Sequence, residues 1–141
     1  MSAVGIYSAF LGDWRLIPES CQYDQGEAPA SGSYRISVGA EGILSLTTQW
    51  KEPNGQAHSF TLSGKPDGSK APFDGGDLAD ALAITAVSPR ELNSYAYLRG
   101  KELMVAQRQL DDTGRAMRVT QLVRLPDGTR PSNVSVYLKE G

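Results

Sequence analysis

Turn signals recur along almost the whole chain: Gly39-Ala-Glu-Gly42, Pro53-Asn-Gly55, Pro66-Asp-Gly68, Ser88-Pro89, Arg99-Gly100, Asp111-Asp-Thr-Gly114 and Pro126-Asp-Gly128. Most of the segments between them are short and alternate apolar with polar residues. Alternation places every second side chain on one face of a strand, and a turn after each run makes hairpin follow hairpin. The punctuation therefore predicts an all-β protein, either a sandwich or an up-and-down barrel.

The 141 residues fit one domain, 1–141, long enough to bury a core without disulfides or metals. Fourteen Lys and Arg against sixteen Asp and Glu leave a net charge of −2, and no basic block stands out. That excludes the electrostatic footprint of a nucleic-acid binder. No apolar run approaches the ~18 residues of a membrane span. The apolar stretch Met1–Leu11 has neither a basic start nor a small-residue cleavage site, so a cytoplasmic location is expected. The lone Cys21 fits a reducing compartment. With a single His and a single Cys, a His/Cys-rich zinc site is excluded; no EF-hand spacing appears, and no cofactor is expected.

Val4, Ile6, Tyr7, Phe10 and Leu11 recur at helical spacing, which predicts a short N-terminal helix ended by Gly12. Asp13–Ile17 is the first expected strand, followed by a long polar loop over Pro18–Ser31. Further strands are expected at about Ser33–Val38, Ile43–Lys51, Ala57–Gly64, Leu82–Val87, Glu91–Leu98, Glu102–Leu110, Arg115–Leu125 and Asn133–Lys139, roughly nine or ten in all. The irregular stretch Lys65–Ala81, with one helical turn expected at Asp77–Ala81, is either a lid or a surface excursion.

Turn length fixes which side chains share a face. Pairing Leu110 with Arg115 sets Arg108 opposite Met117, Ala106 opposite Val119 and Met104 opposite Gln121. Pairing Leu125 with Arg130 sets Val119 opposite Val136, Met117 opposite Leu138 and Gln121 opposite Val134. A three-residue loop at Gly39–Glu41 aligns Ile36 with Leu44 and Tyr34 with Leu46. The Pro53-Asn-Gly55 turn aligns Leu46 with Leu62, Thr48 with Phe60 and Trp50 with His58. The expected apolar face thus carries Tyr34, Ile36, Val38, Leu44, Leu46, Trp50, Phe60, Leu62, Met117, Val119, Val136 and Leu138. The Arg99-Gly100 hairpin leaves two registers open, one with Tyr95 and Tyr97 inside and one with Leu92, Ala96 and Leu98.

Gly12-Asp-Trp14-Arg-Leu16 is similar to the Gly-x-Trp that opens the first strand of lipocalins and other calycin-type barrels. Ser20…Tyr23-Asp-x-Gly26-x-Ala-Pro29-x-Ser31, Asp67-Gly68…Pro72-Phe73 and the ending Val134-x-Val-Tyr137-x-Lys-Glu140 resemble a group of small bacterial lipocalin-like proteins. The resemblance covers almost the whole chain. It implies a closed antiparallel barrel plugged by the N-terminal helix, with Trp14 as a structural residue, and a small apolar or amphipathic ligand inside. It carries no specific activity with it. Two departures narrow it: Ser135-Val-Tyr137 lacks the Arg of the Arg-x-Tyr pair that holds a carboxylate in fatty-acid-binding barrels, and no His follows His58 to serve as a haem ligand of the nitrobindin type.

The expected inner face carries a few polar groups: Thr48, His58, Arg108 and Gln121. A buried charge is costly unless paired, so Arg108 suits a carboxylate or phosphate head group, with Trp50 and aliphatic side chains around an apolar tail. The alternative is that Arg108 snorkels to water beside its turn. Candidate ligand-binding residues are Trp50, His58, Tyr95, Arg108 and Gln121. Gln107, Arg118 and Tyr137 line up on the opposite face as a solvated ladder, which becomes the ligand site only if the barrel is polar inside. No catalytic residue stands out: Cys21 lies apart from His58 in sequence, and there is no Gly-x-Ser-x-Gly elbow or phosphate loop. Binding of a small apolar or amphipathic molecule by a monomer or homodimer is the leading expectation. The alternatives are an isomerase or hydrolase with His58 as base at the barrel mouth, or a filled barrel serving as an interaction module.

Overall fold

The first hydrophobic residues become a plug rather than a strand. The computed structural model describes residues 4–73 and 79–140. A four-residue helix, α1 (Val4–Tyr7), runs into a 3-10 turn at Ser8–Phe10, so the expected helix is shorter than its spacing suggested. Tyr7 and Phe10 are buried against Trp14, whose indole Nε1 donates to the Phe10 carbonyl at 2.9 Å. Lys139 Nζ donates to the Ala9 carbonyl at 3.0 Å and sits 5.3 Å from the Trp14 ring centre, tying the plug to the last strand.

Ten strands follow: β1 (Gly12–Tyr23), β2 (Ser31–Val38), β3 (Leu44–Lys51), β4 (Ala57–Gly64), β5 (Ala71–Pro72), β6 (Ala81–Ser88), β7 (Glu91–Leu98), β8 (Lys101–Leu110), β9 (Ala116–Val123) and β10 (Ser132–Lys139). They form a single antiparallel sheet in the order β4-β3-β2-β1-β10-β9-β8-β7-β6-β5. The chain nearly closes this sheet. Just past β4, Pro66 O accepts from Ala86 N at 3.1 Å and Gly68 N donates to Ile84 O at 2.8 Å, with Asp67 bridged to Thr85. The expected lid segment therefore divides: part seals the barrel, part forms β5. Of the helical turn expected at Asp77–Ala81, Asp77 and Leu78 lie outside the described residues, while Ala81 opens β6.

Pro18–Tyr23, expected as loop, continues β1. The pairing with β10 slips between Ile17 and Gln22, because Pro18 has no N–H to give to the ladder. The Ser20 hydroxyl substitutes for the ladder there, accepting from Val136 N at 2.8 Å and donating to the Ile17 carbonyl at 2.6 Å.

The β3–β4 register is as expected, with Leu46 opposite Leu62, Thr48 opposite Phe60 and Trp50 opposite His58. In the β2–β3 hairpin Ile36 meets Leu46 rather than Leu44, and in β8–β9 Leu110 meets Met117 rather than Arg115. Both slips are two residues, so every side chain keeps its face. The last hairpin slips by one, which reverses β10. Leu125 N donates to Thr129 O across a three-residue Pro126-Asp-Gly128 loop with Gly128 at φ +89°, where a four-residue loop was expected. A left-handed residue closing such a loop is a position that glycine occupies without strain. Tyr137 therefore pairs with Met117 and is buried, while Leu138 is 37% exposed. Val136 and Leu138 leave the expected apolar face, and Tyr137 leaves the expected solvated ladder.

At Arg99-Gly100 both residues have positive φ and Leu98 pairs with Lys101, a two-residue turn; a register shift then lies between Ala96 and Tyr97. Leu92, Ser94 and Ala96 face inward with Arg108 and Ala106, which decides between the two registers left open. The core concentrates at the plugged end, around Trp14, Ile36, Leu44, Leu92 and Met117.

Candidate ligand-binding site

The barrel is not filled. Beyond the plug a cavity of about 640 Å³ is walled by Tyr34 from β2, Thr48 and Trp50 from β3, Phe60 and Leu62 from β4, Leu82 from β6, Ser94 and Ala96 from β7, Met104, Ala106 and Arg108 from β8, and Gln121 and Val123 from β9, with Phe73 and Ala79 across the gap between β4 and β6. Strand alternation puts these residues on one face, and the bulges and turns described above decide which. A mostly apolar wall with a few converging polar groups is the usual composition of a small-molecule site. No described residue of the wall is Asp or Glu.

Among the described residues Arg108 is the one charged group deep in this wall. It is 2% exposed, so it does not snorkel. Its Nη1 donates to Ser94 Oγ at 3.0 Å and its Nη2 to the Tyr34 hydroxyl at 3.4 Å, while the guanidinium lies 5.5 Å from the Tyr34 ring centre. Among the described residues the buried Nε has no hydrogen-bond partner. Ion pairs among the described residues join Asp13 to Arg35, Glu52 to His58, Asp112 to Arg90 and Glu102 to Arg130, and none reaches Arg108. A cation removed from water without a counter-ion is energetically costly, and an anion entering the cavity would offset that cost.

Two tyrosines shape the surroundings of the guanidinium. Tyr137 meets Tyr34 edge-on, with ring centres 4.9 Å apart. Burial pushes the Tyr137 phenol above the ordinary tyrosine range, so it is a neutral hydroxyl at working pH. Tyr23 and Cys21 on the bulged part of β1 are likewise pushed up by burial. None of these groups supplies the negative charge that Arg108 lacks.

At the mouth, Trp50 stacks on His58 with ring centres 5.3 Å apart, and His58 Nε2 lies 2.9 Å from Glu52 Oε2. Phe60 meets Phe73 edge-on at 5.6 Å across the gap. A second, shallower depression of about 580 Å³ lies over the ends of β2, β3 and β4 and contains no buried charged group.

Of the residues singled out in the sequence, Trp50, Arg108 and Gln121 line the same cavity. Tyr95 borders it, but its partners Ala83 and Val105 put its side chain on the strand face opposite Ser94 and Ala96. His58 sits at the rim, held by Glu52, and does not line the cavity. Ser94, Tyr34 and Tyr137 are the groups that sequence reasoning missed around Arg108. Tyr34 stood among apolar residues and Tyr137 on the wrong face; a three-residue reading of the Pro126-Asp-Gly128 turn would have placed Tyr137 inside.

No family model matches the chain, and no curated protein sequence matches it. Solved structures do. The fluorescent protein UnaG is 16% identical, with a TM-score of 0.64 over 94% of this chain and 98% of that one. A fatty acid binding protein of Schistosoma mansoni, solved with arachidonic acid, is 14% identical with a TM-score of 0.63, covering 97% and 100%. The zebrafish ileal bile acid-binding protein, solved with cholic acid, is 11% identical with a TM-score of 0.54, covering 94% and 99%. At such identities the likeness concerns the fold: an all-β, nearly closed, ten-stranded up-and-down barrel of the kind built by fatty-acid-binding and calycin-like proteins.

Proposed function

We propose that this protein binds a small amphipathic molecule inside the barrel, with an anionic head group, a carboxylate above all, on Arg108 and an apolar body among Trp50, Phe60, Leu62, Leu82 and Val123. The observation that carries this reading is the buried Arg108, with a free Nε and no carboxylate partner among the described residues, at the wall of an apolar cavity. A planar carboxylate can take two parallel N–H donors from a guanidinium, and the Tyr34 and Ser94 hydroxyls already orient that group. The structural neighbours solved with arachidonic acid and cholic acid lend support, since both ligands are amphipathic carboxylic acids. The arginine here comes from β8, where the family pattern expects one at Ser135 on the last strand. A cytoplasmic location accords with the unpaired Cys21.

Titration with dodecanoate, followed by tryptophan fluorescence through Trp50, tests the proposal. Saturable one-to-one binding is expected, with dodecanol at least about thirtyfold weaker, a difference of ~2 kcal/mol. Absence of saturable binding, or equal affinity for the alcohol, would overturn it. Native mass spectrometry of gently purified protein, with organic extraction, would identify any molecule carried from the cell.

A further inference from the structure

The cavity wall holds a polar side chain that the protein leaves unused, and its place beside Arg108 narrows the class of ligand. Gln121 on β9 lines the cavity, on the same strand face as Val119 and Val123. It is half-buried, and among the described residues its carboxamide has no hydrogen-bond partner. The residues paired with it explain why. Ala106, opposite it on β8, offers only a methyl group. Asn133, opposite it on β10, is spent on the loop after β1: its Nδ2 donates to Gln25 O at 2.8 Å and its Oδ1 accepts from Gln25 N at 3.1 Å. The Ser94 and Tyr34 hydroxyls already accept from Arg108.

The ladder places this carboxamide next to the head-group site. Ser94, Ala106 and Gln121 pair in one lateral row across β7, β8 and β9. The Arg108 guanidinium reaches that row, since its Nη1 donates to Ser94 Oγ. Neighbouring strands lie about 4.8 Å apart, so the Gln121 backbone stands roughly 10 Å from that of Ser94 with the small Ala106 between them. A ligand whose carboxylate sits on Arg108 therefore passes Gln121 within its first few carbons. A plain alkyl chain there would strip water from the carboxamide and give nothing back, which costs affinity.

We infer that the site selects a hydroxy acid: a molecule with an apolar body, a carboxylate, and a hydroxyl within about three carbons of it that pairs with Gln121. A carboxamide presents an acceptor oxygen and two N–H donors, and a hydroxyl can either donate to the one or accept from the others. It also adds a single heavy atom, which suits the space left over Ala106. Gln121 stands on one side of the ligand path, so the hydroxyl must point toward β9. The selection is therefore stereospecific. This inference rests on the head-group reading above and deepens it by assigning the group next to the carboxylate. Gln121 is half-buried, so the gain is that of an ordinary hydrogen bond and the selectivity is moderate.

The test titrates dodecanoate and each enantiomer of 3-hydroxydodecanoate, probes of equal length that differ by one oxygen and its direction. One enantiomer is expected to bind about three- to tenfold more tightly than dodecanoate and than its mirror image. Gln121→Met keeps the length of the side chain and removes both polar atoms. In that variant the favoured enantiomer should bind no better than dodecanoate, and the difference between enantiomers should close. The comparison of enantiomers in the unaltered protein needs no variant. Enantiomers that bind alike, or no more tightly than dodecanoate, would overturn the inference, and so would an advantage that survives Gln121→Met. In each of those cases saturable binding of dodecanoate leaves the head-group reading intact. Failure of all three probes to bind would overturn both readings.

Discussion

Replacing Arg108 by Met separates a ligand-binding arginine from a structural one, because the two roles predict opposite signs. The guanidinium donates one hydrogen bond of ordinary length, 3.0 Å to Ser94, and one long bond, 3.4 Å to Tyr34. With a charged donor, the first contributes ~1.5–3 kcal/mol, the second well below that, and the Tyr34 face adds about 1 kcal/mol. The substitution therefore loses roughly 3–4 kcal/mol of favourable contact. Against that stands the removal of a cation that is 2% exposed and has no counter-ion among the described residues, a penalty of several kcal/mol. Methionine fills much of the same volume with an adaptable apolar chain. The balance favours the variant: Arg108→Met in the absence of ligand should be as stable as the parent, or more stable by up to ~2 kcal/mol. For a chain of this size that is a rise in melting temperature of up to roughly 3–8 °C. Binding should move the other way, because losing one partner of a buried, hydrogen-bonded charge pair costs ~2–5 kcal/mol, thirtyfold or more in affinity. Thermal unfolding by circular dichroism and calorimetric titration with dodecanoate read the two effects separately. A variant at least 2 kcal/mol less stable without ligand, or one that binds dodecanoate as well as the parent, would refute the reasoning.

Other expectations follow from particular contacts. Asp67, Asp111 and Asp127 each accept from a Ser or Thr two residues on, at 2.6, 2.7 and 2.6 Å, and these hydroxyls hold the carboxyls below the usual range. A lowered folded-state pKa stabilises the fold above the unfolded value of about 3.9 and is lost as pH falls through the lowered value. Urea midpoints should therefore fall on acidification below about pH 4, and changing all three to Asn should flatten that limb; an unchanged limb would dismiss these turns as the cause. Trp14→Phe leaves the Phe10 carbonyl without its donor and opens space at the plug, so urea unfolding should report a loss of roughly 2–3 kcal/mol. Phe73→Ala removes the edge-on contact with Phe60 across the gap between β4 and β6, a pair worth ~0.5–1.5 kcal/mol. Stopped-flow release of dodecanoate should then quicken about two- to tenfold, and an unaltered rate would show that ligands leave by another route.

Much of the architecture was legible because strand and turn signals act over a few residues. Alternation in Tyr34–Val38, Leu44–Trp50 and Phe60–Leu62 fixed an inner face that survived even where the register slipped, since slips of two preserve parity. Arg108 stood out as the charge on that face, and the Gly-x-Trp at Gly12–Trp14 pointed to the plug. Where reading failed, the deciding quantity was a single residue. One residue fewer in the Pro126-Asp-Gly128 loop turned Tyr137 inward beside Tyr34. The register shift beyond Tyr97 settled the hairpin that held Tyr95. Pro18 looked like the end of a strand because its lost N–H is a local fact, whereas the Ser20 hydroxyl that repairs the ladder acts on Val136, distant in sequence.

Sequence alone determined the class of fold, the apolar lining and the presence of a cation within it, all consequences of side-chain alternation and turn chemistry. Tertiary structure decided that the lining encloses a cavity instead of a packed core, that no described carboxylate reaches Arg108, and that Ser94 and two tyrosines surround it. Those properties depend on what stands across the barrel, between strands whose separation in the chain carries no local signal.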